Sequence, residues 1–433
     1  MPSEPESLLL ITVGGSHEPI LQAIQHSGAD LICFICSRND IATGQKGSCV
    51  QIEGKGNVIK TYPDGETPPL PNIPTQLNLS NEQWQRLAIS PDDFDDIYST
   101  IMDFMQQQPT GIRMLADYTG GTKTMSAALV AAALDHGGVE LQLVSGPRDS
   151  LRVVGTGGTV MPASVEKSRF QRAFRSALEP WSGFAYEEAA QRLAKVPVPG
   201  DTALRAELQR ALSISSAFAE WDRFQHHGAN DRLSGFRPVL GPVIADHLNV
   251  LGLLCNPDVP AREILQIYDL WRNAQRRAAQ QRYDDAVARL YRVLEWSAQW
   301  LLQTQADIQT SNVPRDKIPP GITLSENREG TCQAGLYQAW QLAAHHCEDR
   351  VGTFWSEEKE TLLDRLSHRN HSILAHGFEP VGEKGCRDFS NWVEDRLLPL
   401  LLSFSASQPW RIRNLPSQLP TDYQQMLSPR DRK

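Results

Sequence analysis

Two stretches constrain this chain more than any others: "ITVGGSHEPILQAI" (Ile11–Ile24) and "LADYTGGTKTMSAALVAAAL" (Leu115–Leu134). In each, a short apolar run ends in a glycine pair and passes at once into a helical pattern. A run of four to eight apolar residues reads as a buried strand, and a glycine turn followed by 3.6-residue periodicity reads as a strand-to-helix junction. Two such junctions in one segment require crossover connections and hence a parallel sheet covered by helices. In such sheets ligands bind outside the carboxyl ends of the strands, where turns from different strands converge.

The rest of the first third agrees. Six runs are predicted as strands, "LLLITV", "DLICFIC", "NVIKTY", "IRMLADY", "VELQLV" and "LRVVG". The Pro-rich stretch from Pro63 to Pro91 reads as an extended excursion, after which "PDDFDDIYSTIMDFMQQ" resumes a helix. "VVGTGGTV" (Val153–Val160) has the glycines of a dinucleotide fingerprint without its spacing, and reads as a turn. Beyond about Ser164 the pattern is helical and rich in Ala, Leu, Arg and Gln. Tyr283, Val287, Leu290, Leu294, Ala298 and Leu301 fall on one stripe, as in a bundle helix. The expectation is therefore an α/β Rossmann-like N-terminal domain followed by an all-α C-terminal domain, with an irregular tail over 406–433.

At 433 residues the chain has room for more than one core. A net charge of −9 excludes coating of nucleic acid through bulk positive charge, so any nucleic-acid chemistry has to be local. The seven cysteines are odd in number and mostly far apart, a poor disulfide framework and a normal reduced inventory. Cys33 and Cys36 form a Cys-x-x-Cys inside a strand, three residues apart and so on opposite faces; both read as core. Glu4 and Glu6 stand where a signal peptide carries positive charge, and a cytoplasmic location is expected.

At the second junction Gly120 and Gly121 let backbone amides face outward, the helix start near Thr122 supplies a positive dipole end, and Lys123 adds a full charge. Thr119 and Thr122 offer hydroxyl donors. This is not a Walker A loop, because Thr122 precedes Lys123 and Ala116 stands where the first glycine belongs. At the first junction Gly14 and Gly15 open room for a ligand, Ser16 is a candidate N-cap, and Pro19 is tolerated in a first turn. The small side chains of Ala127, Ala128, Ala131, Ala132 and Ala133 permit close packing against another element, a second subunit among the options.

"VGGS" after the first strand and "DYTGGTKTM" before an Ala-rich helix resemble the two ligand-facing motifs of CARF domains, the Rossmann-like sensors of cyclic oligoadenylate in CRISPR-associated proteins. The resemblance covers roughly residues 1–164 and implies a ligand site of Gly14, Gly15, Ser16, Ser37, Thr119, Gly120, Gly121, Thr122 and Lys123. It implies cyclic oligoadenylate as activator, tetra-adenylate favoured over hexa-adenylate, held between two copies of the chain. A ring of spaced, singly charged phosphodiesters calls for a broad shelf of amides and hydroxyls rather than one tight triphosphate nest. Whether such a domain also cuts its activator stays open.

In the helical half, "LSHRNHSILAHGFEP" (Leu366–Pro380) follows "SEEKETLLDRL", whose Glu357, Glu358 and Glu360 read as an acidic helix start. Arg369 and His376 are seven residues apart, two turns of helix, and would share one face. Gly377 would stop that helix and leave His376 at its negative end, where protonation is favoured and a general acid is suited. From the residues alone, a solvated Arg and a capping His are the commoner meaning of this pair.

"RNHSILAH" resembles the Arg-x(4–6)-His signature of HEPN ribonucleases. The resemblance implies Arg369, Asn370 and His376 as catalytic residues, no metal, single-stranded RNA as substrate, and two copies of the motif meeting in a homodimer. It divides the chain into a sensor domain (1–164), a segment that is either connector or part of the effector (165–265), a ribonuclease domain (266–405) and the tail. The activity implied is a cyclic-oligoadenylate-activated, metal-independent endoribonuclease of type III CRISPR defence. Two alternatives stand beside it: a non-catalytic nucleotide sensor whose helical half recruits a partner, and an NTPase or dinucleotide enzyme, disfavoured by the broken Walker pattern.

Two further sets are weighed. His345, His346 and Cys347 with His371, His376, Cys332 and Cys386 lack the paired spacing of structural zinc sites. Arg272, Arg276, Arg277, Arg282, Arg289 and Arg292 read as a solvated face that could line an RNA path.

Overall fold

A computed structural model describes residues 5–39, 46–63, 67–146, 148–149, 152–153, 158–370, 374, 377–406, 411–412 and 414–428; the side chains of 148–149, 152–153 and 366–370 are outside that description. The chain divides into two compact units, Met1–Arg172 and Ala173–Lys433.

The first unit is built on a six-stranded sheet of β1 (Ser7–Thr12), β2 (Leu31–Ser37), β3 (Trp84–Ile89), β4 (Arg113–Asp117), β5 (Val139–Ser145) and β6 (Thr159–Pro162). Their spatial order is β6-β5-β4-β1-β2-β3, all parallel except the β5–β6 pair. This is the doubly wound order, and its switch point falls between β1 and β4. Those central strands are the two that precede the glycine pairs. Helices α1 (Glu18–Ser27), α2 (Phe94–Gln106) and α3 (Lys123–His136) supply the crossovers.

The strand residues alternate between two cores. Leu8, Leu10, Cys33, Ile35 and Ala116 pack with α2 and α3 on one face, and Leu9, Ile11, Ile32, Phe34 and Leu115 pack with α1 on the other. A strand buried on both faces must be apolar throughout, which is why "LLLIT" and "LICFIC" show no polar alternation. The small side chains of α3 serve this sheet, since Ala128, Ala132 and Ala133 are fully buried in its core while Ala127 is exposed. Gly137, in the left-handed region at φ +87°, ends α3 directly after His136.

The sheet departs from the sequence expectation in three places. "NVIKTY" gives only Val58–Lys60, paired with Leu70–Pro71 outside the main sheet. The third sheet strand is instead β3, inside the stretch read as an excursion; as an edge strand with exposed Gln85 and Arg86 it carries a weak apolar signal. "LRVVG" contributes a two-residue pairing with Arg148–Asp149, and the antiparallel edge is β6. The expectation of seven free thiols is also corrected: Cys36 at the end of β2 is joined to Cys49 by a disulfide, leaving five free.

The second unit is helical: α4 (Glu166–Leu178) leads into it, followed by α5 (Tyr186–Leu193), α6 (Thr202–Asp222), α7 (His226–Ser234), α8 (Arg237–Cys255), α9 (Arg262–Ala279), α10 (Tyr283–Ala306), α11 (Leu336–His346), α12 (Asp349–Asn370), α13 (Glu383–Trp392), α14 (Leu398–Ala406) and α15 (Tyr423–Leu427). A π-helical segment, Val393–Leu397, joins α13 to α14. The stripe of α10 is its buried face: Val287, Leu290, Leu294, Ala298 and Leu301 lie in the largest core, with Tyr283 half-buried at its edge. Full burial of one such aliphatic side chain contributes about 1.5–3 kcal/mol. By length and composition α8 passes as a membrane span, but Ile244, Leu248, Leu251 and Leu254 turn into the unit's interior.

The arginine face is not solvated along its length. Arg276 is 0% exposed and donates through Nε to Asp222 (2.7 Å) and through Nη1 to Gln418 (2.9 Å). Arg277 also pairs with Asp222, and Asp269, buried beside them, accepts from Trp221 Nε1 (3.1 Å) and faces His226 Nε2 (2.9 Å). Arg289 is engaged by Asp285 and Asn273, Arg272 stacks on Trp271, and only Arg282 and Arg292 of the set are well exposed. A buried charge survives only when paired, so these arginines fasten α6 and α7 to α9. The tail takes part as well, through Gln418, Leu419 and the buried Tyr423 of α15.

Candidate functional site

At the switch point the two glycine turns touch. A side-chain carbon built on Gly14 would stand 2.6 Å from the backbone nitrogen of Gly121, and one on Gly120 would stand 2.4 Å from the carbonyl oxygen of Thr12. Neither position has space for a side chain. Gly121 holds φ +83°, a conformation that suits glycine. Gly15 differs: nothing lies within 4 Å of the place a side-chain carbon would take, and the residue is exposed. The outer rim of the shelf is therefore Gly15, and its floor is the Gly14–Gly120–Gly121 contact.

Hydrogen bonds fix that floor. Thr12 Oγ1 donates to Gly120 O (2.7 Å), as does Ser126 Oγ (2.8 Å), and Gln51 Nε2 donates to Gly14 O (2.8 Å). Asp117 is fully buried; its Oδ1 accepts from Thr119 N (3.0 Å) and its Oδ2 from Gln142 Nε2 (3.3 Å). Burial holds the Asp117 carboxyl above its ordinary pKa, with the bonds from Thr119 and Gln142 opposing the rise. Thr12, Gln51 and Asp117 do not stand out in the sequence as site residues. Asp117 alone leaves a sign there, as a charge ending an apolar run; Gln51 sits in a segment with no periodicity at all.

The hydroxyls expected to face a ligand are partly committed elsewhere. Thr122 is the N-cap of α3, its Oγ1 accepting from Met125 N (3.2 Å) and donating to Pro91 O (2.7 Å). Thr119 Oγ1 accepts from Val144 N (2.7 Å), and its hydroxyl bonds the Asp117 carboxylate. Ser37 is buried and exchanges hydrogen bonds with Ser48, tying β2 to the segment beyond it. Ser16 is not the N-cap of α1; His17 occupies that position, with Pro19 in the first turn. Lys123 is exposed at the first position of α3, and with Gly15 and the α3 amides it forms the open part of the shelf.

In the helical unit, Arg369 and Asn370 are the last two residues of α12. Their side chains, and the whole of His376 and His371, lie outside the described residues. The helix does not run unbroken from Arg369 to Gly377, because Leu374 lies in a turn. Helix α12 also begins seven residues earlier than expected, at Asp349, which puts Glu357 and Glu358 in mid-helix. There they face the π-helical segment: Glu358 is buried and accepts from Trp392 Nε1 (2.7 Å) and Arg396 Nε (2.5 Å), and Glu357 accepts from Arg396 Nη2 (3.0 Å). They anchor α12 rather than complement its dipole. Glu360, three residues on, is also in mid-helix and exposed.

Among the described residues no group of three or more His, Cys, Asp and Glu side chains is arranged to hold a metal ion. Of the residues weighed for zinc, His346 Nε2 meets Lys317 O (2.7 Å) and Cys347 Sγ faces Leu301 O (3.6 Å).

Residues 259–398 match the family model described as the Csm6 HEPN domain. Among solved structures, Enterococcus italicus Csm6 bound to cyclic hexa-2'-fluoro-hexa-dAMP is similar at 12% identity and a TM-score of 0.50, over 91% of this chain and 94% of that one. Can2 from Sulfobacillus thermosulfidooxidans in complex with cyclic tetra-adenylate matches at 12% identity and a TM-score of 0.22, over 52% of this chain and 68% of that one. No curated protein matches the sequence. Residues 259–398 thus carry the likeness to the Csm6 HEPN domain, and the chain shares its fold with the Csm6 structure.

Proposed function

We propose that the chain is a homodimeric endoribonuclease, switched on by cyclic oligoadenylate, that cleaves single-stranded RNA in the cytoplasm as part of type III CRISPR defence. The observation that carries this reading is the contact between the glycine turns after β1 and β4, on a chain whose helical unit matches a HEPN family. The turns sit side by side at the switch point and leave a shelf of Gly15, the α3 amides and Lys123, with Thr119 braced against Asp117 and Val144 beside it. Such a shelf suits spaced phosphodiesters, which need distributed amide donors and one cation. Gly14, Gly120 and Gly121 serve by letting the backbones approach, and Ser37 and Thr122 by holding the shelf in place. A tetra-adenylate ring is favoured as activator.

Cleavage uses the substrate's own 2′-hydroxyl as nucleophile, so no metal is needed to generate one. His376 transfers a proton at one of the two reacting oxygens, Arg369 donates to the non-bridging oxygens as negative charge grows on phosphorus, and Asn370 orients the ribose or the imidazole. One motif holds only part of this machinery, and the twin motif of a second copy completes it. The ring would activate by binding the cutting-competent dimer more tightly than the resting one. The helices of 173–255 belong to the effector, since Asp222 and His226 are fastened to α9.

The test is cleavage of a single-stranded RNA in EDTA, with no ring, with cyclic tetra-adenylate and with cyclic hexa-adenylate. Cleavage only with a ring, abolished by Arg369→Ala and by His376→Ala, is the expected result. Ring binding without cleavage would favour a non-catalytic sensor, and undiminished cleavage by His376→Ala would remove the assigned chemistry.

A further inference from the structure

Beside the segment that carries the Arg–His motif, the helical unit has two cavities of about 540 and 300 Å³. The larger is walled by Arg282, Tyr283 and Asp284 at the start of α10, and by Leu374, Pro380 and Val381 from the motif segment. The smaller lies among α9, α10 and α13, with Gln275, Asn391 and Arg387 on its wall. Tyr283 is the residue they share; it is half-buried, packs against the core cluster and lines both cavities. Leu374 is about half exposed, and Phe378, four residues further on, is 91% exposed.

The polar residues of the larger cavity are not equivalent. Asp285 is taken up by Arg282 and Arg289. Asp284 receives the Val381 N–H, 3.3 Å from each of its oxygens, and a carboxylate has roughly four acceptor positions. It keeps capacity to accept from a ligand beside the Tyr283 ring.

We infer that this groove is a nucleobase subsite for the RNA flanking the cleaved bond, with Tyr283 as stacking platform and Asp284 as reader of the base edge. An unstacked base of single-stranded RNA is held by an aromatic face and identified by hydrogen bonds to its edge. Asp284 only accepts, so it favours adenine, cytosine and guanine, whose exocyclic amino groups donate, over uracil, whose one donor on this edge, N3–H, is flanked by two carbonyl oxygens that repel a carboxylate. Arg282, largely exposed at the rim, is placed for the adjoining phosphate. The inference rests on the ribonuclease reading for its substrate, and it adds a preference that Arg369 and His376 do not supply.

The experiment is fluorescence anisotropy with the full-length His376→Ala chain, which leaves its RNA uncut, in the presence of the activating ring. The probes are a labelled uridine oligomer and the same oligomer with one central adenosine. The adenosine probe is expected to bind more tightly. Tyr283→Ala and Tyr283→Leu should lose roughly tenfold or more of that affinity, as stacked bases do when their platform is removed, while Tyr283→Phe keeps it. Because leucine preserves packing against the core, loss in both variants reports stacking rather than folding. Asp284→Asn, which can still accept from Val381 N–H, should bind the two probes equally. In the cleaving chain, Tyr283→Leu should raise KM and leave kcat nearly unchanged. Unaltered affinity in Tyr283→Leu, or a surviving adenosine preference in Asp284→Asn, overturns the inference. A parent chain that binds with these preferences yet cuts no RNA overturns the ribonuclease reading instead.

Discussion

A side-chain carbon on Gly14 would lie 2.6 Å from the backbone nitrogen of Gly121, so the turn after β1 and the turn after β4 are packed backbone to backbone. Gly14→Ala and Gly120→Ala must push the two turns apart. Each is expected to cost about 1–3 kcal/mol of stability in denaturant unfolding, as overpacking does, and to weaken ring binding with it. Gly15→Ala meets open space and should unfold like the parent. If all three behave alike, the interlock does not set the geometry of the shelf.

Asp117 gives the N-terminal unit a pH dependence of known sign. The native state keeps this proton to a higher pH than the unfolded chain does, because burial raises the folded pKa. Over the window from the ordinary carboxylate pKa up to the raised one, the native state binds more protons, so the Asp117 contribution to stability falls as pH rises. Asp117→Asn keeps an acceptor for Thr119 N and removes the charge. Thermal unfolding from pH 4 to pH 7 should show the variant gaining on the parent as pH rises; a constant difference would count against the burial argument.

The buried ion cluster predicts that the helical unit fails as a whole. Arg276→Ala leaves Asp222 with Arg277 and Asn273, and takes from Asp269 the guanidinium that stands 3.8 Å away in the parent. Removing one member of a buried pair costs about 3–5 kcal/mol. Hydrogen exchange should then rise in α6 and α9 together. A rise confined to α9 would show that the two are not fastened through this residue.

Cys36 and Cys49 are expected to resist labelling. Thiol counting on protein unfolded without reductant should find five reactive thiols, and seven after reduction. Seven in both conditions would show the pair open.

The residues that could be read from the chain are those whose role is local. "LLLIT" and "LICFIC" announce doubly buried strands because such strands have no polar face, and Val287, Leu290, Leu294, Ala298 and Leu301 announce a bundle helix because burial recurs every three or four residues. The glycine pairs are visible for the same reason. Edge strand β3 is not, since half its side chains face solvent and its register is set by pairing with β2. The start of α12 is misplaced by the sequence because Glu357 and Glu358 resemble a first turn when Trp392 and Arg396, their partners more than thirty residues away, are unknown.

The sequence by itself determined where the chain is apolar, where it turns on glycine, and which residues could carry charge to a phosphate. Only the tertiary structure decided what those residues meet. It set the turns after β1 and β4 against each other, closed Gln51 onto Gly14, and buried Arg276 that composition had placed in water. Periodicity records how a residue faces its own helix or strand. Pairing between segments a hundred residues apart depends on strand order and on desolvation, and neither is written in the spacing of one segment.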